Sequence, residues 1–412
     1  NQLTMETMKR VATRHGLVCL LHEKPYAGVN GSGKHNNWSI GTDTGENLLD
    51  PGDTPNENLQ FLLVLSCIMK AVDTHADLLR QSASCVGNEH RLGGQEAPPA
   101  IISIFLGDQL ESVVDQIISN AESVKLLASG KLDSGVSTVP VLNKDATDRN
   151  RTTPFAFTGN KFEFRMVGSS DSIADANTTL NAIVAEALCE AADQLEQAGD
   201  FNAACTKLIH DNMAQHQRII FNGDGYSDEW VAEAARRGLP NLASLVDAVP
   251  ALTTEKAVKL FTKFGIYTQS ELEARADIMY ETYVKTIKIE ANTMIHMAAK
   301  HYIPTVIGYT TRLAQSITAV ASACPEAELS VQRGLLKDVS ARLAEASAAL
   351  EQLKPLMDRV DAIQDVKEMA IAYRTAVVPA MDALRYPIDQ LELMVDKSIW
   401  PVPTYGDLMF EV

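Results

Sequence analysis

Between Lys24 and Ser39 the chain gathers residue types suited to chemistry rather than packing: Gly28, Gly31 and Gly33, the amides Asn30, Asn36 and Asn37, Lys34 and His35. Glycines let backbone N–H groups approach an anionic ligand closely, and His35 is placed to coordinate a metal or to touch that ligand. Other candidate residues stand in loops and short strands. Arg91 and Glu96 lie in the Gly/Pro-rich stretch 88–99, Arg151 lies within 148–154, and Lys161, Glu163 and Arg165 alternate with Phe162 and Phe164. Alternation in a strand sends those three charges to one face and the two rings to the other. The set suits phosphoryl transfer, in which metal ions bridge phosphate oxygens and Arg or Lys stabilises the moving charge. His35 and Glu163 offer one nitrogen and one carboxylate, a mixture that magnesium or manganese accepts.

Gly28 to Lys34 also spells G-x-x-x-x-G-K, the start of a phosphate-binding P-loop. The match fails at the next position, where His35 replaces the Ser or Thr that ligates magnesium, and no amphipathic helix follows. Each charge has an ordinary reading as well: a glutamate on a strand is usually solvated, and a loop arginine is usually an ion-pair residue.

The elements that must position these residues follow from periodicity and turn signals. Residues 1–16 read as an amphipathic helix, 17–21 as a buried strand delivering the Gly-rich loop, and 38–42 as a second strand. An apolar helix is expected over 58–79 with His75 near its end, a strand over 100–105, and a helix over 108–128. A polar connector over 129–148 leads to strands at 155–157 and 161–165, then to helices over 175–195, 201–219 and 230–237. Beyond about 245 the chain is helical, with heptad-like apolar runs at 280–301, 336–360 and 377–395; Pro379 and Pro387 predict kinks in the last run. His296 and His301 stand five residues apart, a spacing that does not share a helix face, and His301 falls on the apolar seam. The apolar tail 400–412 is expected to dock back on the protein.

Composition narrows the class. With 46% hydrophobic and 22% charged residues the chain is ordered and globular, and a formal charge of −17 excludes a general nucleic-acid partner. No run of about eighteen apolar residues indicates a membrane span. The six cysteines form no C-x-x-C pair, which points to a reduced, cytoplasmic setting.

Four blocks, in order, resemble the glutamine synthetase family: the stretch 24–39, Arg-Leu-Gly-Gly-Gln-Glu-Ala-Pro at 91–98, Asn-Arg-Thr-Thr at 150–153 and Lys-Phe-Glu-Phe-Arg at 161–165. The wording of 157–170, the long helical end and the finish Pro-Thr-Tyr-Gly-Asp-Leu at 403–408 look most like the large type III branch. The resemblance implies an α+β fold: part of a catalytic domain with a curved antiparallel sheet and helices over 1–245, then a long helical bundle or arm over 246–412. It implies ATP-dependent ligation of ammonia to the side-chain carboxylate of glutamate through a γ-glutamyl phosphate, with ATP and Mg2+ or Mn2+ as cofactors and a ring-shaped homo-oligomer.

Roles carry over by position. Asn30 and Gly31 would hold the glutamate backbone groups, and Arg91 would clamp substrate carboxylate. His35 would ligate the metal nearest ATP and Glu163 the metal on the glutamate side, with Ser39 and Lys161 at the nucleotide. Glu96 would sit on a closing flap and take a proton from ammonium, Arg151 would stabilise the transferring phosphoryl group, and Arg165 would contact acyl phosphate. Ala156 stands where many family members carry a further arginine. Residues 1–23 hold only Glu6 and Glu23, whereas the family draws several metal-binding glutamates from sequence before the Gly-rich loop. The expectation is therefore a C-terminal portion, inactive alone. Two alternatives stay open: a non-catalytic assembly or regulatory protein on a decayed ligase domain, and a ligase for another amino acid or amine.

Overall fold

The computed structural model describes residues 2–95, 97–119, 131–132, 142–143 and 152–410, in two compact units, Asn1–Ala276 and Asp277–Val412. The change in composition near 245 precedes the boundary between units, because helices α9 (Leu245–Ala248) and α10 (Glu255–Lys263) belong to the first unit. The fold is α+β. Among the described residues no helix is long and apolar enough to cross a membrane.

In the first unit, helix α1 (Gln2–Arg14) ends at Gly16, whose φ of 72° lets the Leu17 N–H return to the Ala12 carbonyl at 2.9 Å. This turn folds the apolar run back along α1, a hydrophobic helix stop. Residues 17–21 are therefore not the buried strand their composition suggests: Val18 is 81% exposed and Leu20 52%. The first strand is β1 (Gly33–Trp38), which starts inside the Gly-rich stretch, whereas the sequence pattern places a strand at 38–42. The four-stranded sheet has the order β1-β4-β3-β2, with β2 (Ile104–Phe105), β3 (Phe155–Phe157) and β4 (Phe162–Gly168). It is mixed rather than wholly antiparallel, because β2 runs parallel to β3 while the other pairs are antiparallel. Phe155 stacks on Phe162 at 4.4 Å between ring centroids and Phe157 meets the same ring edge-on, so the alternating phenylalanines of β3 and β4 lock the central register. Lys131–Leu132 pairs with Leu142–Asn143 apart from this sheet.

Helix α2 (Leu59–Thr74) begins where the Asn58 side chain accepts from the Phe61 N–H at 3.0 Å. Its Phe61, Leu65, Ile68 and Val72 are buried, and it packs on α6 (Ala174–Glu196) and α7 (Phe201–His216). The expected helix 58–79 breaks at His75, and α3 (Ala76–Gln81) follows. His75 is buried, with Nε2 3.1 Å from Glu186 on α6. Two residues earlier, Asp73 accepts from His216 at 2.7 Å and from the Arg218 Nε at 2.8 Å. Next come α4 (Val86–Arg91), which ends at a candidate site residue, α5 (Asp108–Ile118) and α8 (Asp228–Arg236).

In the second unit, the heptad runs of α13 (Ser330–Asp361) and α15 (Val378–Met394) face each other: Val339, Ala346, Leu350 and Leu353 are buried, as are Met381, Leu384, Ile388 and Leu391. The first run does not persist to His301. Helix α11 (Gln269–Met297) passes into a π turn, Ala298–Tyr302, before α12 (Ile303–Ala323), and His301 is exposed rather than on the seam. A second π turn, Tyr373–Val377, separates α14 (Val366–Ala372) from α15. Each is followed by a proline, Pro304 or Pro379, which lacks an N–H and crowds the carbonyl four residues back; widening the turn relieves that clash. Trp400, stacked on Tyr302 at 5.1 Å and buried with Val306, Ile388 and Leu391, docks the tail.

Two outcomes test this packing. Asp73→Ala strands His216 without its acceptor and is expected to cost about 3 kcal/mol in chemical denaturation, whereas Arg218→Ala, whose side chain is 45% exposed, costs far less. Burial, assisted by Lys256 and opposed by Glu186, holds His75 below its ordinary value of 6.5. Its contribution to stability is fully present above that ordinary value and is lost as pH falls through the lowered one. Denaturation midpoints should therefore fall on acidification, with a shallower dependence in His75→Gln.

Candidate functional site

β1 and β4 build the central wall. Their register pairs Gly33 with Gly168 and Lys34 with Val167, then shifts so that Asn36 faces Phe164, Asn37 faces Glu163 and Trp38 faces Phe162. His35 sits at that irregularity, opposite the extra residue of β4, and a bulge of this kind re-aims a side chain. His35 Nδ1 lies 3.7 Å from Glu163 Oε2, too long for a hydrogen bond. Glu163 Oε2 accepts instead from Arg165, at 3.0 Å from Nη2 and 3.2 Å from Nε. Partial burial, the nearby Arg165 and then Arg91 hold the His35 pKa below its ordinary value against the pull of Glu163. The imidazole is therefore held neutral, the form that ligates metals.

The opposite face of β1 is anchored by helix α6. The Asn36 Nδ2 donates to Asn177 Oδ1 at 2.7 Å, and the Trp38 Nε1 donates to Asn181 Oδ1 at 2.8 Å. The two acceptors stand four residues apart, on one helix face.

Arg91, at the end of α4, is buried beneath the Gly-rich loop. Its Nη1 donates to Asn88 Oδ1 at 3.1 Å and Met166 O at 3.2 Å, and its Nη2 donates to Arg165 O at 3.0 Å. Burial lowers its pKa, with Glu23 acting in the opposite direction. A Cβ on Gly31 would meet the Glu23 carbonyl at 2.7 Å and Arg91 Cγ at 2.9 Å, and one on Gly33 would collide with the Arg91 guanidinium. The glycines thus serve close approach to this side chain as well as to a ligand. Glu23, buried at the root of the loop, accepts from the Ser170 N–H at 2.9 Å and from the Ser170 hydroxyl. The Lys24 Nζ donates to Val29 O and, at 2.9 Å, to Gln95 Oε1, tying the loop to the segment before Glu96.

His35, Glu163 and Arg165 thus converge, with Arg91 reaching them through the backbone of β4. Asn30 and Gly31 lie in the loop above Arg91, and Ser39 and Lys161 each stand one residue beyond the paired Trp38 and Phe162. Glu96 and Arg151 lie outside the described residues. The sequence reading missed Glu23, Asn177 and Asn181 as supports. An Asn pair at i, i+4 on an otherwise Ala-rich helix was the available signal for the last two, whereas nothing local marks Glu23.

A neutral imidazole and a carboxylate 3.7 Å apart fit magnesium or manganese, which take few protein donors and complete their shells with water and phosphate oxygens. Among the described residues no group of three or more His, Cys, Asp or Glu could hold a metal, so His35 and Glu163 amount to a two-donor set.

Known proteins resemble the chain as follows. Residues 204–321 match the family described as glutamine synthetase C-terminal domain. A type-3 glutamine synthetase of Dictyostelium discoideum is 43% identical over 417 residues, covering 100% of this chain and 57% of that protein. A glutamine synthetase of Butyrivibrio fibrisolvens is 41% identical over 424 residues, covering 100% of this chain and 59% of that protein. The chain thus spans under three-fifths of the length of these curated relatives. A solved structure described as apo GmaS without ligand aligns with 69% of this chain and 48% of that one, at 18% identity and a TM-score of 0.38.

Gly31→Ala pushes a methyl group against a backbone carbonyl that cannot rotate away. It is expected to lower stability by roughly 1–3 kcal/mol and to raise amide exchange across residues 24–33, read by hydrogen–deuterium exchange. Unchanged exchange would show that the loop does not rest on Arg91 and Glu23.

Proposed function

Because the chain belongs to the glutamine synthetase family, we propose that the whole protein's reaction is the ATP-dependent joining of ammonia to the side-chain carboxylate of glutamate, with this chain inactive on its own. The observation that carries this reading is the convergence of His35, Glu163 and Arg165 on adjoining strands beside a glycine loop. His35 and Glu163 would hold Mg2+ or Mn2+, which when bound neutralises phosphate charge. Asn30 and Gly31 bind the glutamate backbone groups. Arg91 has five N–H donors and uses only part of them on β4 carbonyls, so it keeps capacity for a substrate carboxylate just under the glycines. Ser39 and Lys161 bind nucleotide at the end of the β1–β4 pair. Arg151 stabilises the phosphoryl group in transfer, Arg165 holds the acyl phosphate oxygens, and Glu96 takes the ammonium proton. Residues 1–245 would form the catalytic part and 246–412 the helical extension. Homo-oligomeric rings and a cytoplasmic setting belong to the same proposal.

Ala156 gives this chain a distinct charge arrangement. It lies opposite Glu163 in the β3–β4 register, so an arginine there would stand beside that carboxylate. Arg165 already occupies the position of counter-charge to Glu163 at 3.0 Å. The same substitution favours a second reading, a non-catalytic assembly protein on the family's fold.

Glutamine formation by the whole protein should require ATP, glutamate, ammonium and Mg2+ together, and should fall on the order of 10³-fold in Arg151→Ala and strongly in Glu163→Gln. Phosphate release indifferent to glutamate sinks the ligase reading. Binding of ATP and Mn2+ with no glutamine formed by the whole protein favours the assembly protein.

A further inference from the structure

In a regular α-helix, side chains five residues apart point about 140° away from each other. His296 and His301 do not follow that rule here. The Ile303 N–H donates to the Ala298 carbonyl, an i to i+5 bond, and the widened turn Ala298–Tyr302 brings the two imidazole rings to 5.5 Å between centroids, inclined at 65°. Both residues are exposed. The cause is local: Pro304 has no N–H to give the Lys300 carbonyl and would crowd it in an α register, so the helix adds a residue to the turn.

We propose that His296 and His301 form a two-imidazole chelate for a zinc-class divalent cation. Imidazole suits zinc, nickel and copper better than it suits magnesium or calcium. With a Zn–N bond of about 2.1 Å, two rings on one tetrahedral ion have centroids roughly 5 Å apart. The observed 5.5 Å is close to that separation, on a backbone that already holds both residues on one face. Two water molecules complete the shell. Lys300 is the neighbouring cation; it is exposed, and its long stem lets the ammonium swing clear of the ion. The donor set is all nitrogen, unlike the nitrogen–carboxylate pair of His35 and Glu163, so the two sets select different metals.

The test is zinc retention by the full chain in competition with a chromophoric chelator at pH 7.5, in a His35→Ala background that removes the other donor pair. The background protein should retain one equivalent that both His296→Ala and His301→Ala lose, with affinity at least tenfold weaker in each. Since both residues are exposed, these variants keep their fold, which far-UV circular dichroism checks. Pro304→Ala, which leaves both histidines in place but lets the helix return to an α register, should weaken zinc by a similar factor. Background affinity in either histidine variant overturns the chelate. Background affinity in Pro304→Ala overturns its construction by the π turn.

Discussion

Where β1 and β4 lose register beside His35, backbone groups of β4 fall out of the ladder, and the Arg91 guanidinium donates to the carbonyls of Arg165 and Met166 there. A buried carbonyl without a donor costs about 1–3 kcal/mol, and a buried guanidinium without acceptors costs more. Each of these liabilities resolves the other. The arrangement also dictates what covers it: a guanidinium lying across the strand end leaves no room for a Cβ at residue 33, and the Arg91 stem with the Glu23 carbonyl leaves none at 31. The glycines, the bulge, the aim of His35 and the burial of Arg91 are therefore one mechanical unit. Glu23 closes it by tying the root of the loop to Ser170, just past the end of β4.

This coupling explains which parts of the wall were legible in the sequence. Phe162 and Phe164 announced the face that Glu163 and Arg165 share, and alternation is a local property that a strand cannot hide. The concentration of Gly, Asn and His at 24–39 likewise marked a site. Strand limits were not legible, because β1 lies within the Gly-rich stretch and gains its order from β4 and from Asn177 and Asn181, partners more than a hundred residues away. The apolar run 17–21 misled for the opposite reason. Its composition is that of a strand, but the left-handed turn at Gly16 sends it back along α1. Arg91 could be picked out by its loop and by family likeness, yet nothing in the sequence told that its guanidinium would hold strand carbonyls.

The helical unit shows the same division between periodicity and its interruptions. Heptads in α13 and α15 mapped directly onto buried seams, because long helices with a stable period have few ways to pack. Pro379 signalled a disturbance correctly but not its form, whereas Pro387 lies inside α15 and Pro304 drew no such expectation. Pro304 and Pro379 follow π turns, in which an extra residue rotates everything beyond it. That rotation takes His301 off the seam and sets it beside His296, a contact that counting at 3.6 residues per turn rules out.

Charge distribution ties the wall to a chain with a formal charge of −17. An anionic ligand could approach such a protein only where cations are concentrated and nearby carboxylates are quenched. Around the loop, Arg91, Arg165, Lys24 and Lys34 stand against Glu23, Glu163 and Asp171. The Glu163 charge is met by Arg165, and burial, opposed by a hydrogen bond with Cys85 and assisted by the neighbouring Glu23, raises the pKa of the Asp171 carboxyl. The wall thus gathers four cations within a strongly acidic chain. Substituting Arg165 would therefore do more than remove a contact: it would leave the Glu163 carboxylate without its guanidinium partner and remove a charge that holds the His35 pKa down.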